Sequence, residues 1–72
     1  MSEVGVIVQC KLRDRRKAQG LSIRQLEAIS GISRGRISDY ENGKTDMSVE
    51  TAARFTVVLN CTLDDLFEIK RM

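Results

Sequence analysis

Residues 21–45 read LSIRQLEAISGISRGRISDYENGKT. Ser22 and Gln25 stand at the spacing of a reciprocal helix cap, in which the hydroxyl accepts the Gln25 backbone N–H and the Gln25 side chain reaches back. Leu26 and Ile29 then give this helix one apolar face. Gly31 is placed to end it, because glycine adopts the left-handed backbone without a Cβ clash. Ile32 bridges the turn and Ser33 caps the next helix. Ile37 and Tyr40, three residues apart, turn one side of that helix to the core, and Asn42-Gly43 stops it. Arg34 and Arg36 lie at its start. The product is a tight two-helix unit with a basic, hydroxyl-rich tip, a shape and charge that the major groove of duplex DNA accepts.

Outward from this unit, Val6, Val8, Cys10 and Leu12 alternate with Ile7, Gln9 and Lys11. A period of two in a β-branched run predicts a short strand over Val4 to Leu12; a continuous helix from about Glu3 is the alternative. Arg13 to Gln19 is charged and helix-compatible, ending at Gly20. A further helix follows Ser48, with Val49, Ala52, Ala53, Phe55, Val58 and Leu59 as its apolar surface and Asn60 as its stop. Thr62 and Asp65 form another capping pair, opening one turn through Leu63 and Leu66. The tail from Phe67 to Met72 alternates again, and the two terminal segments can pair as a small antiparallel ladder supported by the helices. The chain is thus expected to be mainly α, one domain over residues 1–72, with a possible two-stranded ribbon from its termini.

A chain of 72 residues buries a modest core, so a second copy would add stability. The net charge of +2 is unevenly spread. Residues 1–36 hold eight bases against three acids, and residues 37–72 hold four against seven. Such asymmetry suits a protein that meets phosphate on one side, although charged surfaces are common in small domains. Histidine is missing, and Cys10 and Cys61 are the only cysteines. With no CxxC or HxxxH set, neither zinc nor another cofactor is expected, and the two thiols read as small packing residues. No constellation for acid–base or nucleophilic catalysis is present, so no enzyme is expected. No apolar run approaches ~20 residues and no signal segment is evident, which predicts a cytoplasmic protein.

From Leu12 to Phe67 the chain resembles the lambda-repressor-like, Cro/cI-type (XRE-like) helix-turn-helix family. The matching segments are LRDRRKAQGLS, RQLEAISGISRGRISDYENGK and SVETAARFTVVLNCTLDDLF, in the family's order and spacing. The resemblance implies a five-helix fold and a bacterial or phage DNA-binding regulator. It makes Ile23 to Ser30 the helix lying across the phosphate backbone and Ser33 to Glu41 the recognition helix. Arg34, Gly35, Ser38 and Asp39 match positions that reach base edges; Asn42 and Lys44 match a loop that holds phosphates. Arg16 and Glu41 match an internal ion pair. The flanking alternating segments look like the β-ribbon of short dimeric repressors of this family. Three positions depart from the pattern: Ile23 stands where Gln is common, Glu27 where alanine is usual, and Arg15 where an apolar residue is frequent.

The chemistry of these residues sharpens the expectation. Arg34 can donate two parallel hydrogen bonds to guanine O6 and N7, or grip phosphate. Arg36, Arg24, Ser33, Asn42 and Lys44 are phosphate candidates, giving salt-sensitive affinity without sequence information. Asp39 repels phosphate, so it either accepts from a cytosine amino group or pairs internally with Arg36 or another base. Gly35 either lets the backbone approach a base or is merely tolerated near a helix end. Val57, Leu63, Phe67 and Ile69 are candidates for a homodimer contact or for the core. The reading favoured is a repressor that binds a palindromic operator as a homodimer. An antitoxin or a protein-bridging module of the same fold is the alternative. No small-molecule pocket is indicated.

Overall fold

The computed structural model describes residues 5–71, as β1 (Val6–Cys10), α1 (Leu12–Ala18), α2 (Ile23–Ser30), α3 (Arg34–Glu41), α4 (Val49–Leu59), α5 (Leu63–Leu66) and β2 (Phe67–Arg71). The expectations that touched Glu3, Val4 and Met72 lie outside the described residues. The first alternating segment is a strand and not the start of a helix. It pairs antiparallel with β2, Val6 opposite Arg71 and Cys10 opposite Phe67. The Lys11 N–H donates to the Leu66 carbonyl at 2.7 Å, carrying the ladder one step into the helical body.

Short-range chemistry starts most of the helices. Ser22 and Gln25 form the reciprocal cap of α2, and Thr62 and Asp65 form that of α5. Ser33 and Ser48 accept the N–H groups of Arg36 and Thr51. Each cap satisfies N–H groups that the helix itself cannot, worth ~1 kcal/mol apiece. The hydrogen bonds from Thr62 hold the Asp65 carboxyl below its ordinary value. Gly31 ends α2 at φ 75°, and Asn60 ends α4 in the same left-handed region at φ 52°.

The core gathers Leu12, Leu26, Ile32, Ile37, Tyr40, Ala52, Phe55, Leu59 and Leu66. Every helix contributes, and the edge of the Tyr40 ring meets Phe55 with centroids 6.2 Å apart. Ile29 departs from expectation. It is 50% exposed, because the buried stripe of α2 runs through Leu26 and Ser30, and Ile32 beyond the turn fills the core in its place. The apolar surface of α4 is likewise narrower than its sequence suggests: Ala52, Phe55 and Leu59 are buried, whereas Val49 and Ala53 face solvent.

The ribbon is anchored only at its base. Cys10 and Phe67 pack against the core, while Val6, Ile7, Val8 and Ile69 are each at least half exposed. Alternation therefore yields a buried face only where helices lie beneath the strands. Both cysteines are free and partly buried, and burial pushes both thiols up from their ordinary range. A raised thiol pKa suits packing better than redox chemistry at neutral pH.

This core assignment predicts a sharp contrast. Phe55→Ala should cost ~3–5 kcal/mol in urea unfolding, and Ile29→Ser no more than ~0.5 kcal/mol. Comparable losses at the two positions would contradict it.

Candidate nucleic-acid interface

The helices α2 and α3 meet across the Gly31 turn, where the Gly31 N–H donates to the Glu27 carbonyl at 2.9 Å. The buried Ser30 hydroxyl accepts the Ile32 N–H at 3.1 Å, which satisfies the turn's backbone inside the core. Ile37 and Tyr40 then fix the rotation of α3 about its axis. At 3.6 residues per turn, burying these two turns Gly35, Ser38 and Asp39 away from the core. Arg34 and Arg36 fall on the two opposite flanks of that outward stripe. A Cβ built on Gly35 meets nothing within 4 Å, so no packing within the protein demands glycine there.

The C-terminal end of α3 is held by one carboxylate. Arg16 grips Glu41 through Nε at 2.7 Å and Nη2 at 3.1 Å, and its Nη1 donates to the Leu21 carbonyl at 2.8 Å. The Glu41 side chain is 1% exposed. Hydrogen bonding to Glu41 raises the already high pKa of Arg16, so the guanidinium stays charged. A second arginine joins it. Arg13 donates to Glu41 Oε1 at 3.2 Å and to Asn42 Oδ1 at 2.8 Å. The role of Arg13 was not read from the sequence, although it precedes Arg16 by three residues and so shares its helix face.

Glu27 holds the other end. Its carboxylate accepts the Arg34 backbone N–H at 2.9 Å and lies 3.5 Å from Arg34 Nε. The bulk of Glu27 at this helix crossing is thereby absorbed as a cap on α3. This function too went unread in the sequence. Only the departure from alanine at that position marked it.

The remaining candidates divide into engaged and free groups. Arg36 folds back along the helix, donating to the Tyr40 hydroxyl at 2.8 Å with its guanidinium 5.8 Å from the ring centroid. It does not pair with Asp39, which makes no ion pair among the described residues. Asn42 spends its amide internally, donating to the Ser38 carbonyl at 2.9 Å and accepting from Arg13. The Ser33 hydroxyl caps α3. Arg24 and Lys44 are exposed and, with Arg36, make no ion pair among the described residues. Arg15 keeps its Nε buried without a hydrogen-bond partner among the described residues. Among the described residues no group of three or more Cys, Asp or Glu side chains is arranged to hold a metal ion.

A core-locked helix pair, a tight glycine turn and an outward stripe with cations at its margins define a helix-turn-helix domain. A helix-turn-helix family model matches residues 12–66, and the chain belongs to that family, a class of DNA-binding regulators and not of enzymes. It is 37% identical over 65 residues to the SPbeta prophage-derived uncharacterized HTH-type transcriptional regulator YopS of Bacillus subtilis (strain 168), covering 89% of this chain and 88% of that one. A second SPbeta prophage regulator of that organism, YotL, is 31% identical over 61 residues, covering 83% and 76%. Among solved structures, the restriction-modification controller protein C.AhdI of Aeromonas hydrophila superposes with a TM-score of 0.74 at 30% identity, covering 79% of this chain and 86% of that one. The clp gene regulator ClgR from C. glutamicum gives 0.70 at 31%, covering 75% and 70%. The expected Cro/cI-type resemblance and five-helix fold hold.

The geometry around Glu41 carries a stability prediction. Glu41→Ala leaves Arg16 buried without its partner and should cost ~3–5 kcal/mol in thermal or denaturant unfolding. A variant as stable as the parent would show that the carboxylate does not tie α1 to α3.

Proposed function

We propose that this DNA-binding regulator represses transcription by binding a palindromic operator as a homodimer, with the Ser33–Glu41 segment in the major groove. The observation that carries the reading is the outward stripe of α3. Gly35, Ser38 and Asp39 sit on the face opposite the core, and Arg24, Arg36 and Lys44 supply cations around it that have no counter-ion among the described residues. In this reading Arg34 reads guanine and Asp39 accepts from a cytosine amino group. Ser38 contacts a neighbouring base edge, and Gly35 lets the helix backbone approach. Arg24, Ser33, Arg36, Asn42 and Lys44 hold phosphates, for Asn42 and Ser33 after exchange of their internal bonds.

A single eight-residue helix reads only a few base pairs, so specific affinity calls for two copies on two half-sites. Val57, Leu63 and Ile69 are exposed and supply apolar surface for that contact, whereas Phe67 is partly committed to the core. A dimer on its operator covers the DNA beneath it, which makes exclusion of polymerase the simplest route to repression. The described residues contain no helix long and apolar enough to cross a membrane, and we assign residues 1–72 to the cytoplasm as one DNA-binding unit.

Selection of binding sites from random duplex DNA tests the whole reading. Two inverted half-sites with centres about 34 Å apart are expected; recovery of unrelated sequences would overturn it. Two variants refine the test. Arg34→Ala should relax preference at one base pair per half-site, whereas uniform weakening would make Arg34 a phosphate contact. Gly35→Ala should raise stability by ~0.5–1 kcal/mol through helix propensity and yet weaken operator binding. Unchanged or tighter binding would remove Gly35 from the interface.

A further inference from the structure

We propose that Glu27, on the helix preceding the recognition helix, is a positioning residue that sets base specificity by holding Arg34. This inference rests on the reading of Arg34 as the guanine contact and deepens it. One carboxylate engages a single residue twice. Glu27 Oε2 accepts the Arg34 backbone N–H at 2.9 Å, and Oε1 stands 3.5 Å from Arg34 Nε. The backbone bond fixes where the arginine side chain begins, and the ion pair draws its guanidinium toward Glu27.

Two consequences follow from that geometry. With Nε directed to Glu27, the donors left over are the two terminal Nη groups. They form the end-on fork that matches two parallel acceptors such as guanine O6 and N7. A long, rotamer-rich side chain is thus biased toward one direction before DNA arrives, and part of its ordering cost does not fall on the binding step. The carboxylate also makes the Arg34 site close to neutral as a unit. At 40% side-chain exposure Glu27 repels an approaching phosphate, so the arginine is steered away from non-specific backbone contacts. Arg24, Arg36 and Lys44 lack such a counter-ion among the described residues, and they keep the full attraction for phosphate. The protein separates its reading arginine from its gripping cations by this one acidic side chain.

The test uses the full chain and the duplex recovered by selection from random DNA, together with copies of that duplex carrying single base-pair replacements. Glu27→Gln keeps an acceptor for the Arg34 N–H and removes the charge. Fluorescence anisotropy should show preference at the Arg34-dependent base pair falling roughly tenfold, within the range one bidentate contact supplies. Affinity for a scrambled duplex should rise at the same time. Equal changes on every duplex, or unaltered preference at that base pair, would overturn the proposal. Arg34→Ala runs in parallel. If that variant relaxes no single position, the reading of Arg34 fails; if it does and Glu27→Gln does not, only the role of Glu27 fails. Should Glu27→Gln not fold, Glu27→Ala, smaller and helix-favouring, takes its place with the same two readouts.

Discussion

The buried carboxylate of Glu41 is the constraint on which the interface depends. Two arginines of α1 converge on it, and it sits at the last residue of α3, so one acidic group joins the first helix to the end of the third. A charge removed from water is costly unless its partners satisfy it, and here four donors from Arg13 and Arg16 either reach the carboxylate or bond beside it. The positive ends of those side chains also lie where the α3 dipole is negative. With its far end held in this way and Ile37 and Tyr40 seated in the core, the rotation of α3 about its axis is set by packing.

The near end of the same helix is set by different chemistry. Ser33 caps it, Gly31 makes the turn into it, and Glu27 bonds its first N–H. The basic residues of the front half are accordingly not equivalent. Arg13 and Arg16 are structural, Arg34 lies beside a carboxylate, and Arg36 rests on the Tyr40 ring. The excess of positive charge in residues 1–36 therefore overstates what is free to meet phosphate, since part of it is consumed in holding the fold.

Features that depend on residues within three or four positions of one another were legible in the sequence. The caps at Ser22, Ser33, Ser48 and Thr62, the glycine turn at Gly31 and the stop at Asn60 are all of this kind. The ribbon was legible only as one of two possibilities, because pairing Val6 with Arg71 depends on contacts that local alternation cannot report. Ile29 and Val49 show a related limit. Periodicity marks which positions are apolar, but the neighbouring helices decide how wide a stripe they cover. The candidate interface followed the same rule. The spacing of Ile37 and Tyr40 left Ser38 and Asp39 outside the core face, and family resemblance supplied Gly35 and the Arg16–Glu41 pair. The contacts of Arg13 with Glu41, 28 residues away, and of Glu27 with Arg34, across the turn, arise only from tertiary packing.

What unites these details is a helix gripped at both ends and left open along one side. The most direct test is an NMR titration of the amide resonances of the full chain with its selected duplex. The largest shifts should fall on Arg34, Gly35, Ser38 and Asp39, with smaller ones at Arg24 and Lys44. Shifts concentrated on the ribbon or on α4, with the α3 amides unmoved, would contradict the account.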